Sequence, residues 1–98
     1  MIKASDIERG VEEIIQSTFN INKSVSGDSM LKEHLGIGTL ETDVLISRLE
    51  DFFGHWCVAI HRDDYKNWQS VNNVVSAVCS ILIEDGYIVV DDSDINTI

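Results

Sequence analysis

Apolar residues recur with helical spacing in three stretches of the chain, and Gly, Ser, Asn and Asp separate these stretches. Spacings of three, four and seven residues place such side chains along one side of a helix, the side that packs against a core. The apolar positions are Ile7, Val11, Ile14 and Ile15 in the first stretch, Leu40, Val44, Leu45, Leu49, Phe52 and Phe53 in the second, and Val71, Val74, Val75, Val78 and Leu82 in the third. The pattern predicts three long amphipathic helices that bury one shared core.

Short polar motifs predict where the helices begin. Ser5-Asp6-Ile7-Glu8 matches a capping box. In this motif the serine side chain accepts a hydrogen bond from the N3 amide, and the glutamate side chain accepts one from the N-cap amide. Leu35-Gly36-Ile37-Gly38 breaks the chain before a second helix from Thr39 to Phe53, and Ser70 is the predicted N-cap of the last long helix. A further short helical turn is predicted around Arg62 to Lys66.

The residues between and after these helices have no helical period. The stretch from Asn20 to Ser29 is rich in turn-forming residues and predicts a long loop. Apolar residues at intervals are expected to anchor this loop to the core: Phe19, Ile21, Val25, Met30, Leu31 and Leu35. Tyr87-Ile88-Val89-Val90 is strand-like, and residues 91–98 are polar and acidic. We therefore predict one domain over residues 1–85 and an acidic C-terminal tail over residues 86–98.

Composition narrows the classes of protein that fit this pattern. A chain of 98 residues fits one domain, and no apolar run approaches the roughly 18 residues of a membrane span. Because the net charge is −10, we expect basic partner surfaces rather than nucleic acid, and a monomer that stays soluble in the cytoplasm. Cys57 and Cys79 are too few for a disulfide framework and are expected to be reduced.

Two segments around the predicted second helix carry a family resemblance. Leu35-Gly36-Ile37-Gly38-Thr39-Leu40 is followed by Leu49-Glu50-Asp51-Phe52-Phe53, with Phe53 fourteen residues after Thr39. This spacing resembles the acyl carrier protein family, in which a Leu-Gly-x-Asp-Ser-Leu motif opens the second helix. Ile7 to Ile15 looks like the first helix of that family, and Trp68-Gln69-Ser70-Val71 looks like the start of its last helix. The resemblance covers about residues 5–83.

The resemblance implies an all-α, acyl-carrier-protein-like four-helix bundle with three long helices and one short helix. It further implies a protein that is not an enzyme but presents an acyl or peptidyl substrate to enzymes of lipid or secondary-metabolite biosynthesis. In the family, the motif serine carries phosphopantetheine, and Thr39 occupies that position here. Gly38 replaces the neighbouring aspartate, and the threonine methyl group crowds the attack on coenzyme A. The alternative reading of Gly38-Thr39 is a plain helix start, so we predict no phosphopantetheine on the isolated protein.

Four acidic residues of the predicted second helix are candidates for docking on basic surfaces of partner enzymes: Glu41, Asp43, Glu50 and Asp51. A solvated helix face is the alternative explanation for the same residues. Two functions therefore remain open at this point. One is a carrier with a substrate tethered at Thr39, and the other is a carrier fold without the arm that serves as a non-catalytic interaction or regulatory subunit.

Other chemistry-bearing residues give weaker signals. Asp28-Ser29-Met30 resembles the attachment motif, but it lacks a preceding Leu-Gly and lies ten residues too far from the Leu-Glu-Phe segment. His55, Cys57 and His61 are a poor match to zinc-site spacing, so no metal is expected. Three aromatic residues are predicted to pack at the edge of the core rather than to form a binding face: Trp56, Tyr65 and Trp68.

Overall fold

A computed structural model gives the fold and describes residues 2–22, 24–56 and 58–90. The elements in chain order are β1 (Ile2–Lys3), α1 (Ala4–Phe19), α2 (Thr39–Phe52), a 3₁₀ turn (Gly54–Trp56), α3 (Arg62–Tyr65), α4 (Val71–Glu84) and β2 (Val89–Val90). The mostly helical fold predicted from the sequence is confirmed. The second helix begins at the expected residue, and the short helix lies where the sequence predicted it.

The chain is mostly helical rather than all-α, because β1 and β2 form a small parallel sheet. Ile2 lies opposite Val89 and Lys3 opposite Val90, and the Ile2 amide donates to the Ile88 carbonyl over 2.8 Å. The sheet forms because α1 packs against α4, which brings the residue before α1 close to the residues after α4. Ile2 is buried, and Val89 packs against the core.

The predicted start of α1 is wrong. The helix begins at Ala4, with Lys3 as N-cap and no side-chain capping hydrogen bond, so Ser5 lies inside the first turn. Lys3 is held in the extended conformation (φ −87°, ψ 132°) by its place in β1, and this fixes the helix start one residue before the serine motif. At the other end, Asn20 is left-handed (φ 52°) and its amide donates to the Gln16 carbonyl.

The core lies between α1, α2 and α4. The four apolar residues predicted for α1 are all buried, as are four of the five predicted for α4, with Val75 half-buried against the same core. The fully buried side chains include Ile7, Ile15, Leu45, Leu49, Leu82, Val11, Val71, Val74 and Val78. One shared core under three helices is therefore confirmed.

The predicted apolar side of α2 is only half correct. Leu45, Leu49 and Phe53 are buried, whereas Leu40 is 79% exposed, Val44 47% and Phe52 46%. Each residue turns an α-helix by about 100°, so the six apolar positions span too wide an arc to face one neighbour. Because Leu45 and Leu49 face the core, Leu40 and Val44 lie on the opposite side of the helix.

Gly10 marks the closest approach of α1 and α2. It is buried, and a Cβ atom there would lie 2.8 Å from Phe52 Cε1 and 3.2 Å from Phe53 Cζ. Contacts below 3.0 Å are sterically forbidden for a real Cβ. The glycine therefore lets the two phenylalanine rings lie directly on the α1 backbone.

The loop between α1 and α2 is held by buried side chains and by backbone hydrogen bonds to residues at the start of α4. Val25 and Leu31 are buried, as predicted. The backbone bonds to α4 are Leu31 N–H to Gln69 O at 2.9 Å, Val71 N–H to Ser29 O at 3.0 Å and Asn72 N–H to Gly27 O at 2.9 Å. Ser70 is the N-cap of α4, as predicted, and its N–H donates to Asn73 Oδ1 at 2.9 Å.

The predicted boundary at residue 85 between domain and tail stays a prediction. Residues 86–90 of the predicted tail are described, and they include β2. Residues 91–98 lie outside the described residues.

Candidate functional site

Thr39 is the first residue of α2, and its side chain is exposed. Gly38 is an extended N-cap (φ −95°), and its carbonyl accepts two bonds from Thr42, from the amide at 2.9 Å and from Oγ1 at 2.7 Å. The left-handed turn needed before the helix lies at Gly36 (φ 69°) rather than at Gly38. Within the described residues, nothing accepts from or donates to the Thr39 hydroxyl.

A pocket of about 550 Å³ opens beside this helix start. Its walls come from the loop before α2, from the first turn of α2 and from the segment between α3 and α4. Apolar lining is supplied by Leu31, Ile37, Tyr65 and Trp68, while Thr39 and Thr42 line it on the α2 side. Two lysines, Lys32 and Lys66, also line the pocket, so apolar and cationic groups lie side by side in it.

The four predicted docking acids do not form one patch. Glu50 is half-buried, and its Oε2 accepts from the Ile60 amide at 2.9 Å, which fixes the segment before α3. Glu41 and Asp43 are two residues apart and therefore project to nearly opposite sides of α2. Asp43 and Asp51 are exposed, and they share the solvent side of the helix. The structure thus brings together two of the four acids and assigns a third to holding a loop.

The sequence interpretation missed the exposed apolar residues between these acids. Leu40 and Val44 lie one turn apart on the solvent side of α2, with Asp43 and Asp51 beside them. We call these four residues the outer face of α2. Their spacing gives no signal that distinguishes them from core positions, because both sides of α2 carry apolar residues at helical intervals.

Three aromatic residues, Trp56, Tyr65 and Trp68, are partly buried and pack against the core, as predicted. Trp56 stacks on Phe53 with ring centroids 5.8 Å apart, and Trp68 meets Tyr65 edge-on at 6.2 Å. The indole Nε1 of Trp68 is buried and has no hydrogen-bond acceptor among the described residues. A buried donor left without an acceptor costs about 1–3 kcal/mol, so this N–H lowers the stability of the folded protein by about that amount.

Metal-ligating side chains do not cluster within the described ranges. No group of three His, Cys, Asp or Glu residues there could hold a metal ion, and Cys57 lies outside those ranges. Burial raises the pKa of Glu12, and the neighbouring carboxylate of Glu8 raises it further. His55 is exposed and packs on Trp56, with ring centroids 4.3 Å apart.

No described helix is long and apolar enough to cross a membrane.

Comparison of the chain with protein-family models, with curated proteins and with solved structures finds no match. The resemblance to acyl carrier proteins therefore depends on the sequence segments named above, within residues 5–83, and stays a prediction.

Proposed function

We propose that the protein is a non-catalytic interaction module that docks on a partner protein through the outer face of α2. The observation that carries this proposal is the exposure of Leu40, at 79%, on a helix whose other side already fills the core. Leu40 and Val44 together offer an apolar patch, and patches of this kind mark interaction sites more often than isolated apolar residues do. The partner is expected to supply an apolar pocket with basic residues at its rim.

Charge complementarity supports this choice of partner. Asp43 and Asp51 flank the apolar pair in a chain of net charge −10, so approach to a basic surface is favoured at long range. Burial of a leucine side chain contributes about 1.5–3 kcal/mol, which supplies affinity, whereas the acids contribute mainly association rate and orientation.

The test compares two pairs of exposed apolar residues. Leu40→Ser with Val44→Ser should abolish recovery of the partner, while Ile83→Ser with Ile88→Ser, at other exposed positions, should leave recovery unchanged. Binding to the purified partner should weaken as salt is raised, because charges are screened over about 3 Å at 1 M salt against about 10 Å at 0.1 M. Equal recovery by the outer-face variant and the parent would reject the proposal.

A second candidate function is supported by the position of Thr39. Its exposed hydroxyl, without a bonding partner among the described residues, opens a helix beside a pocket, as a tethering residue requires. Phosphopantetheine would supply the flexible arm with a terminal thiol. Attachment forms a bond from Thr39 Oγ to the phosphorus of the pantetheine phosphate, releases 3′,5′-ADP from coenzyme A and passes the hydroxyl proton to a base of the transferase.

The chain departs from the family motif at this position, so we expect no modification of the isolated protein. Intact mass should equal the sequence mass, and incubation with coenzyme A, magnesium and a broad-specificity transferase should not change it. Gly38→Asp with Thr39→Ser should make the added mass detectable. An added mass on the parent that Thr39→Ala removes would instead establish the tethered carrier.

A further inference from the structure

The pocket beside the α2 start has the lining of a small-molecule site. Leu31 and Ile37 are buried and form an apolar floor, while Tyr65 and Trp68 meet edge-on at 6.2 Å and form an aromatic wall. A volume of about 550 Å³ lies within the range of small-ligand pockets. Aromatic walls pack best against another planar ring, because edge-to-face and offset stacking both add to apolar burial.

The charged groups of this pocket are unusual for the chain. Lys32 and Lys66 both line it, although the whole sequence contains only seven Lys and Arg residues against seventeen Asp and Glu. Lys66 pairs with Asp63 at 3.3 Å, and both side chains are at least half exposed, so this pair is weak and easily exchanged for a ligand. Lys32 has no ion-pair partner in the described part of the chain. Glu33 also lines the pocket and offsets part of the positive charge.

The lining therefore combines apolar burial, aromatic ring packing and two ammonium groups, which together suit a planar anion.

We propose that this pocket binds a small planar aromatic carboxylate without covalent attachment. The ring packs against Tyr65 and Trp68, and the carboxylate faces Lys32 and Lys66. This inference does not depend on docking through the outer face of α2, nor on modification of Thr39. It assigns the module a second binding site, at the start of α2, beside the preceding loop and the segment between α3 and α4.

The test is an NMR titration with 2-naphthoate, observed through the two indole N–H resonances. The Trp68 resonance should shift, while that of Trp56, which stacks on Phe53 away from the pocket, should stay in place. 2-Naphthamide, which keeps the rings and loses the charge, should bind about fivefold more weakly. Each of Lys32→Ala and Lys66→Ala removes one of the two charge pairs and should weaken 2-naphthoate about twofold. Lys3→Ala serves as the matched control, because Lys3 lies in β1 and does not line the pocket.

Three outcomes would overturn the proposal. One is a Trp68 resonance that does not move, a second is equal affinity for 2-naphthamide and 2-naphthoate, and the third is tighter binding of octanoate, which would favour an aliphatic ligand. Trp68→Leu keeps an apolar wall and removes the aromatic ring, so its binding, followed through backbone amides of the 30–38 loop, should fall about fivefold. The same spectra report whether each variant is folded. Leu40→Ser should leave 2-naphthoate binding unchanged, which separates failure of this site from failure of docking.

Discussion

Helices α2 and α4 have the same length of 14 residues and similar apolar spacing, yet they use their apolar residues differently. In α4 the predicted side faces the core, because α1 packs along it and the 20–38 loop is stitched over its start. In α2, α1 covers one side, and the opposite side carries Leu40 and Val44 into solvent. The number of packed neighbours, rather than the helical pattern, therefore decides which apolar residues are buried in the core.

The sharpest test of this difference uses two adjacent residues. Leu45→Asp places an unpaired charge in the core and should unfold the domain, because a small domain has only about 5–15 kcal/mol of stability to lose. Val44→Asp should leave the protein folded, because Val44 is 47% exposed. Thermal melting followed by circular dichroism checks both. Unfolding by Val44→Asp, or a parent-like melt for Leu45→Asp, would contradict the position of α2.

A second test addresses the contact that fixes α2 against α1. Gly10→Val should lower the free energy of unfolding by about 1–3 kcal/mol, because the new side chain overlaps the Phe52 ring. Phe52→Ala removes that ring, so Gly10→Val should cost less free energy of unfolding in a Phe52→Ala background than it costs in the parent. Gly54→Ala is the control, since a Cβ there meets nothing within 4 Å. Urea denaturation measures each value, and additive losses in the double variant would show that the two residues are not in contact.

A smaller effect is expected at the start of α4. Asn73→Ala removes the acceptor of the Gln69 and Ser70 amides, each at 2.9 Å, and should cost about 1 kcal/mol. Ser76→Ala, at an exposed position of the same helix, should change the urea midpoint little. A lower urea midpoint for Asn73→Ala alone would confirm that capping, and not helix propensity, stabilises the N-terminal end of α4. Equal midpoints for both variants would contradict it.

The smallest expected effect is a pH dependence from α1, the neighbour that both helices share. The pKa of Glu12 is raised in the folded state by burial and by Glu8, so the folded protein binds more protons than the unfolded chain just above pH 4.5. The free energy of unfolding that this group contributes therefore falls as pH rises from 4.5 through the raised pKa. Glu12→Gln should be more stable than the parent at pH 7 and equal to it at pH 4. Glu13→Gln, which removes an exposed carboxylate of equal charge, should show a smaller difference between the two pH values.

The sequence predicts the parts of the fold that depend on local spacing. The α1 stripe, the α4 stripe with its Ser70 cap, the Thr39 helix start and the buried loop residues Val25 and Leu31 all follow from neighbours along the chain. The parts that it misses depend on contacts between distant residues. β1 forms only because residues near position 89 lie beside it, and its formation moves the start of α1.

The candidate site divides in the same way. The position of Thr39 at an exposed helix start could be predicted from its neighbours, whereas the pocket beside it could not. Three separate segments, before α2, at its first turn and between α3 and α4, form that pocket. The hydrogen bond from Ile60 to Glu50 was likewise not predictable from local spacing, because it joins residues ten positions apart. Docking through the four acids stays a prediction.

The parallel pairing of β1 with β2 has a mechanical consequence. The two strands run in the same direction, so a force that pulls residue 2 away from residue 90 acts along the strands. Bonds loaded in this shear direction must rupture together rather than one after another. The short sheet therefore joins residues 2 and 90 directly, and α1 and α4 bear a pull on these two residues only after the sheet has opened.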